Sequence, residues 1–116
     1  MTKTPISEGD IRTVENYLKM YRTYSRLLRV DRYERDYLGF RDSSSETVGD
    51  GSIARAKMYE IRHFIMDLPN SDEKLLLYCH YVRGESMEKC AELLGISRAG
   101  AYRMKKRALS LAFERL

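Results

Sequence analysis

Residues 86–109 read SMEKCAELLGISRAGAYRMKKRAL. Ser86 and Ser97 each stand where a helix N-cap belongs. Met87, Cys90, Ala91 and Leu94 follow the first; Ala101, Met104, Ala108 and Leu111 follow the second. Both sets recur at three- and four-residue spacing, which marks one face of a helix. Gly95 suits a left-handed C-cap between them, and Ile96 is an apolar plug behind it. Ala91 supplies the small residue that two closely crossing helices need. Two helices joined by a short glycine-containing turn make a helix-turn-helix, and the motif is expected at residues 86–107, with Cys90, Ala91, Leu94, Gly95, Ile96, Ala101, Met104 and Ala108 as its core.

The face of the last helix opposite that core presents Arg98, Ala99, Tyr102, Arg103 and Lys106. A recognition helix carries small or long polar residues near its N-terminus, because those meet base edges in the major groove. Arg98 and Arg103 suit bidentate contacts with guanine, and Ala99 suits a thymine methyl; Tyr102 completes the expected base-reading set. Ser97, Lys105, Lys106 and Arg107 are expected at backbone phosphates, where they add affinity but little sequence information. Charge distribution agrees: residues 97–116 hold 6 basic against 1 acidic side chain, while residues 1–52 balance 9 against 9 and residues 71–96 hold 3 against 5. A solvated basic helix end, or a helical hairpin buried in a bundle, would explain the charge or the apolar positions separately, but not both.

Working outward, helical periodicity recurs five times and strand signals are nearly absent, so the expected fold is all-α: a long N-terminal helix, then a helical bundle with a C-terminal helix-turn-helix and no winged strands. The first helix can start at Ser7, paired with Asp10 in a capping box. Ile11, Val14, Leu18, Tyr21, Ser25 and Leu28 then form a stripe, broadened by Tyr17 and Tyr24. Arg32 and Arg35 fall where that stripe would continue, so the helix either runs on as a solvated arm to Leu38 or kinks, with Gly39 as a stop. Residues 42–52, DSSSETVGDGS, have loop or linker composition. They divide an N-terminal helical arm (residues 1–41) from a DNA-binding domain (residues 53–116).

Within the latter, a helix over residues 53–68 places Ala54, Met58, Ile61, Ile65 and Leu68 on one face and Arg55, Tyr59, Arg62 and His63 on the other; Pro69 ends it. Asn70 or Ser71 caps a third helix with Leu75, Cys79 and Val82 on one side, and Gly84 follows as a left-handed cap. Tyr17, Tyr21, Tyr24 and Leu28 need a partner helix, either the second helix of the same chain or a second copy in a homodimer. Leu109, Phe113 and Leu116 leave the last helix away from its core stripe and are expected against the first helix or another subunit.

The stretch MDLPNSDEKLLLYCHYVRGESMEKCAELLGISRAGAYRMKKRAL resembles region four of bacterial sigma factors. The resemblance lies in Leu68-Pro69 before a helix, the run Leu75-Leu76-Leu77-Tyr78, Gly84 before the first motif helix and Gly95-Ile96-Ser97 before the second. It covers about residues 65–110, under half the chain, and implies a domain that reads promoter DNA in the major groove. Cys90 stands where that family usually has Ile or Val, and Ala101 where Val is common. The upstream half shows neither the aromatic-rich melting region nor the clamp-binding helices of a full sigma factor. The whole chain is more similar to small phage and prophage regulators of Gram-positive bacteria (the ArpU/RinA type), which implies an activator of phage late or packaging genes.

Together these readings predict a sequence-specific regulator of transcription bound to double-stranded DNA. A small-terminase-like packaging protein and a helix-turn-helix scaffold that holds RNA polymerase remain as alternatives. No catalytic constellation is present: there is no P-loop, no nucleophile with a base in pattern, and Asp72-Glu73 sit at a helix start, where favouring the dipole suffices. Two cysteines and two histidines without ligand spacing argue against a metal or a disulfide framework, and Cys79 and Cys90 are expected as reduced core residues. No cofactor is expected. The N-terminus lacks a signal-peptide stretch and no run is long enough to span a membrane, so a cytoplasmic protein is expected.

Overall fold

Ser7 and Asp10 cap the first helix reciprocally: the Ser7 N–H donates to Asp10 Oδ2 at 3.1 Å and the Asp10 N–H to Ser7 Oγ at 3.2 Å. The computed structural model describes residues 7–37 and 45–116, and every regular element among them is helical. In chain order these are α1 (Glu8–Tyr37), α2 (Ser45–Met66), α3 (Ser71–Leu77), a π-helical segment (Tyr78–Val82), α4 (Met87–Leu94) and α5 (Arg98–Phe113). None of the helices is long and apolar enough to cross a membrane among the described residues.

Helices α1 and α2 run antiparallel along each other. The Tyr17 ring meets Phe64 edge-on with centroids 5.4 Å apart, and its hydroxyl donates to Glu60 at 2.7 Å; further along, Leu28 reaches Gly51. The stripe of α1 therefore packs within the chain, as one of the two expected alternatives had it. Ala54, Ile61, Ile65 and Leu68 of the second helix face are buried, and Arg55, Tyr59, Arg62 and His63 are exposed.

The second helix begins at Ser45 rather than near Ile53, which corrects the expected loop or linker from residue 45 onward. Residues 42–44 and the expected stop at Gly39 lie outside the described residues. The composition of this stretch disfavours helix locally, but packing against a long neighbour overrides propensity. Gly51 is buried on that contact; a Cβ there would stand 3.8 Å from Leu28 Cδ2 and 3.6 Å from Arg55 Nη1.

Pro69 follows the end of α2, and Asn70 caps α3 through its Oδ1, which accepts the Glu73 N–H at 3.0 Å. Adjacent residues of α3 enter different cores. Leu77 and Tyr81 join Val14, Leu18, Ile61, Ile65, Ala108 and Leu109 in the first. Leu76 and Cys79 join Met87, Cys90, Ala91 and Ala101 in the second. The π turn, closed by the Arg83 N–H on the Tyr78 carbonyl at 3.1 Å, rotates the faces between them. Leu75, expected inside with Cys79 and Val82, is 46% exposed. With Leu76 and Leu77 directed at the two cores, the preceding position points away from both.

A second correction concerns α5. Leu111, expected on the core stripe, is 38% exposed, whereas Leu109 and Ala112 are buried. Helix α1 packs on the C-terminal half of α5 on that side, so Leu109 and Phe113 find the intramolecular cover expected as one alternative. Leu116 stays exposed.

Candidate nucleic-acid interface

The α4–α5 pair is held by local chemistry at three points. Ser86 Oγ accepts the Lys89 N–H at 3.1 Å to start α4. Gly95, at φ 68 and ψ 33, ends it in the left-handed region. There the Gly95 N–H bonds the Glu92 carbonyl at 3.2 Å and the Ile96 N–H bonds the Ala91 carbonyl at 3.0 Å, a Schellman arrangement. Ser97 Oγ then accepts the Gly100 N–H at 3.0 Å and starts α5. Ala91 and Ala101 lie buried in the common core, with Ile96, Leu94 and Met104 packed at its edge. Seven of the eight residues expected as the motif's core thus converge on the contact between these helices or the turn that joins them, whereas Ala108 is buried in the first core, with Val14 and Leu18 of α1 and Ile61 and Ile65 of α2. Cys79 and Cys90 are buried free thiols in the same core, and burial, followed by Cys79 and Glu85, pushes the Cys90 thiol up.

On the outer side, Arg98, Ala99, Tyr102, Arg103 and Lys106 are exposed. Arg98 Nη1 lies 3.1 Å from Glu88 Oε1, an exposed pair across the two helices. Tyr102 stands between two cations, with the Arg98 guanidinium carbon 6.0 Å and Lys105 Nζ 5.5 Å from its ring centroid. Arg103 and Lys106 take part in no ion pair among the described residues. The Ser97 hydroxyl oxygen serves as cap acceptor, which leaves its hydrogen available to an incoming oxygen.

The neighbouring cations differ from one another in ways no local pattern announces. Lys105 is 20% exposed and its ammonium pairs with Glu15 of α1 at 3.3 Å. Glu15 also accepts the Tyr81 hydroxyl. Burial by itself would raise the Glu15 carboxyl, but the Tyr81 hydrogen bond, with Lys105 and Lys19 nearby, holds it below the usual value. The Tyr81 phenol moves up, by burial first and by Glu15 second, and Tyr17 moves the same way through burial and Glu60. Arg107 Nε donates to Glu73 Oε1 at 2.8 Å; the carboxylate is 3% exposed by residue, while the arginine side chain is 66% exposed. Nothing near Glu15 or Glu73 in the chain signals these pairings, so sequence reasoning misses both.

Of the residues expected to meet a partner helix, Tyr21 is buried, and Tyr17, Tyr24, Leu28 and Phe113 are partly buried. Away from α5, an apolar groove of 680 Å³ runs between α2 and α3, with Tyr59, Met66, Leu75 and Tyr78 in its walls and Arg62, His63 and Lys74 around them.

Compared with protein-family models, curated proteins and solved structures, the chain has no significant match.

Proposed function

We propose that the chain is a sequence-specific regulator that binds double-stranded DNA, with α4 and α5 acting as a helix-turn-helix and the first turns of α5 entering the major groove. The observation that carries this is the two-sidedness of α5. Ala101 and Ala108 are buried, while Arg98, Ala99 and Arg103 in its first turns and Lys106 further along stand in solvent. Exposed arginine forks beside a small residue are suited to base edges, and an exposed ammonium two turns in, in no ion pair among the described residues, is suited to phosphate. The resemblance to sigma region four and to phage regulators of the ArpU/RinA type supports a role at promoters, with RNA polymerase as a further partner. The tyrosine stripe of α1 is covered within the chain, so a homodimer, if formed, uses other residues.

The test is fluorescence anisotropy on duplexes selected from random sequence, titrated with salt. Arg98→Ala or Arg103→Ala should cost about 1–3 kcal/mol on the selected site and relax preference at one base pair. Equal loss on selected and random duplex would refute base reading.

A second reading is favoured by the groove between α2 and α3: a helix-turn-helix scaffold that holds a polypeptide. The groove's cations fit an apolar partner segment bearing carboxylates. In that case Arg98→Ala and Arg103→Ala leave function unchanged and Leu75→Arg abolishes it.

A further inference from the structure

The apolar stripe of α1 gives out after Leu28, where Arg32 takes the next place, yet the helix continues to Tyr37. Past the core, that sector of α1 borders two adjoining concavities. Arg22, Arg26, Arg29 and Arg83 line one; Arg29, Arg32 and Arg55 line the other. The two share Ser25 and Arg29, so six exposed guanidinium groups form one continuous surface drawn from α1, α2 and the end of the π segment. Among the residues whose side chains the structure describes, which within α1 and α2 leave out residues 31, 34, 35, 37 and 45–50, no carboxylate lines either concavity and none of the six arginines takes part in an ion pair.

Like charges three and four residues apart on a helix destabilise it, as at Arg22 with Arg26 and at Arg29 with both Arg26 and Arg32. A polyanion relieves that repulsion, and arginine forks match phosphate geometry. The surface also has a defined place. Arg22 packs over Gly84, where a Cβ would come within 3.2 Å of its guanidinium carbon, and Gly84 lies two residues before the Ser86 cap of α4. When a helix-turn-helix docks, its first helix crosses the sugar–phosphate backbone. A strand passing the start of α4 therefore reaches Arg83 and Arg22 next. From Arg22 to Arg32 the helix rises about 15 Å, roughly four nucleotide steps at about 3.4 Å each.

We propose that this arginine surface is a second DNA contact, binding the phosphate backbone of the duplex that flanks the segment read by α5. The proposal rests on the DNA-binding reading of α4 and α5, but it can fail or hold separately.

The experiment compares Arg26→Gln/Arg29→Gln/Arg83→Gln with a control of equal charge loss elsewhere, Arg12→Gln/Lys57→Gln/Arg62→Gln. Both are measured by salt-titrated anisotropy on random-sequence duplexes of about 15 and about 30 base pairs, that is, about one and a half and three turns. On the longer duplex the arginine variant should flatten the slope of log K against log salt by about 2 to 3, at about 0.9 for each phosphate no longer neutralised; the control should not, and on the shorter duplex the two should agree. Arg29→Gln alone, shared by both concavities, should flatten it by about 0.9 and guards against misfolding of the triple variant, which circular dichroism also checks. Equal slopes for variant and control overturn the proposal, and leave the α5 reading standing if Arg98→Ala/Arg103→Ala still loses selectivity. A flattened slope with selectivity untouched by that double change upholds the arginine surface and removes base reading. Binding of poly-glutamate in place of duplex, abolished in the arginine variant, would make the partner an acidic protein and overturn the proposal, as would no duplex binding at low salt.

Discussion

The Lys105 ammonium lies 3.3 Å from a Glu15 carboxylate oxygen that also accepts the Tyr81 hydroxyl, so one carboxylate ties α5, the π segment and α1 together. Its folded-state pKa is depressed. The stabilisation from the charged form is therefore complete above the ordinary carboxylate value of about 4.3 and is lost as pH falls through the lower, folded value. Thermal melts of the wild type and Glu15→Gln should differ by a constant margin at neutral pH, and that margin should shrink below about pH 4. A margin that persists unchanged at pH 3 would show that the charge contributes nothing. Two residues on, Arg107 satisfies a carboxylate buried at the start of α3. Removing it strands that acceptor, so Arg107→Ala should lower stability by about 1–3 kcal/mol in urea titration. Lys106→Ala should stay within about 0.5 kcal/mol while weakening binding to all duplexes alike. Equal destabilisation by both changes would make these neighbouring cations equivalent after all.

At the level of elements, Gly51 sits inside α2 with only ordinary contact waiting for a Cβ. Gly51→Ala should stabilise the fold by about 0.5–1 kcal/mol through backbone entropy alone. Gly95, at φ 68, should behave oppositely and lose about 1–2 kcal/mol as alanine. If Gly51→Ala instead lowers the midpoint of unfolding, α1 and α2 approach too closely there for a methyl group. The same contrast marks what is legible in the chain. Caps at Ser7, Asn70, Ser86 and Ser97 and the turn at Gly95 depend on atoms within a few residues, and each is readable from local pattern. The outer face of α5 is readable for the same reason, being the face its own apolar stripe leaves over. The start of α2, the exposure of Leu75 and the exchange of Leu111 for Leu109 depend on which helix lies alongside. The partners of Tyr81 and Lys105 stand 66 and 90 residues away in sequence. No window of helical periodicity contains that information, and so three consecutive cations, Lys105, Lys106 and Arg107, read as equivalent when, among the described residues, Lys105 and Arg107 are in ion pairs and Lys106 is not.

Across the whole molecule, α3 and α5 each enter both cores: Leu76 and Ala101 the second, Leu77, Ala108 and Leu109 the first. The first core is closed by α1, whose Val14 and Leu18 are fully buried in it. An N-terminal arm separable from a DNA-binding domain would leave that core intact on removal, but here Ile61, Ile65, Leu77 and Leu109 would lose their cover. Exposing four such side chains costs about 1.5–3 kcal/mol each, roughly 6–12 kcal/mol together, against a total stability of about 5–15 kcal/mol for a domain of ordinary size. A chain of residues 45–116 should therefore lack cooperative unfolding and show collapsed amide dispersion by NMR. Because α4 and α5 share core residues with α3, its duplex binding should be lost too, even though every residue of the proposed recognition surface is retained. Rapid labelling of Cys90 in the full chain gives the complementary measurement. Its thiol is sealed in the second core, and if the two cores unfold as one unit its urea midpoint coincides with that of helix content. Residues 45–116 folding alone, with Cys90 protected and duplex affinity intact, would show that α1 is an appendage and that the second core carries α4 and α5 unaided.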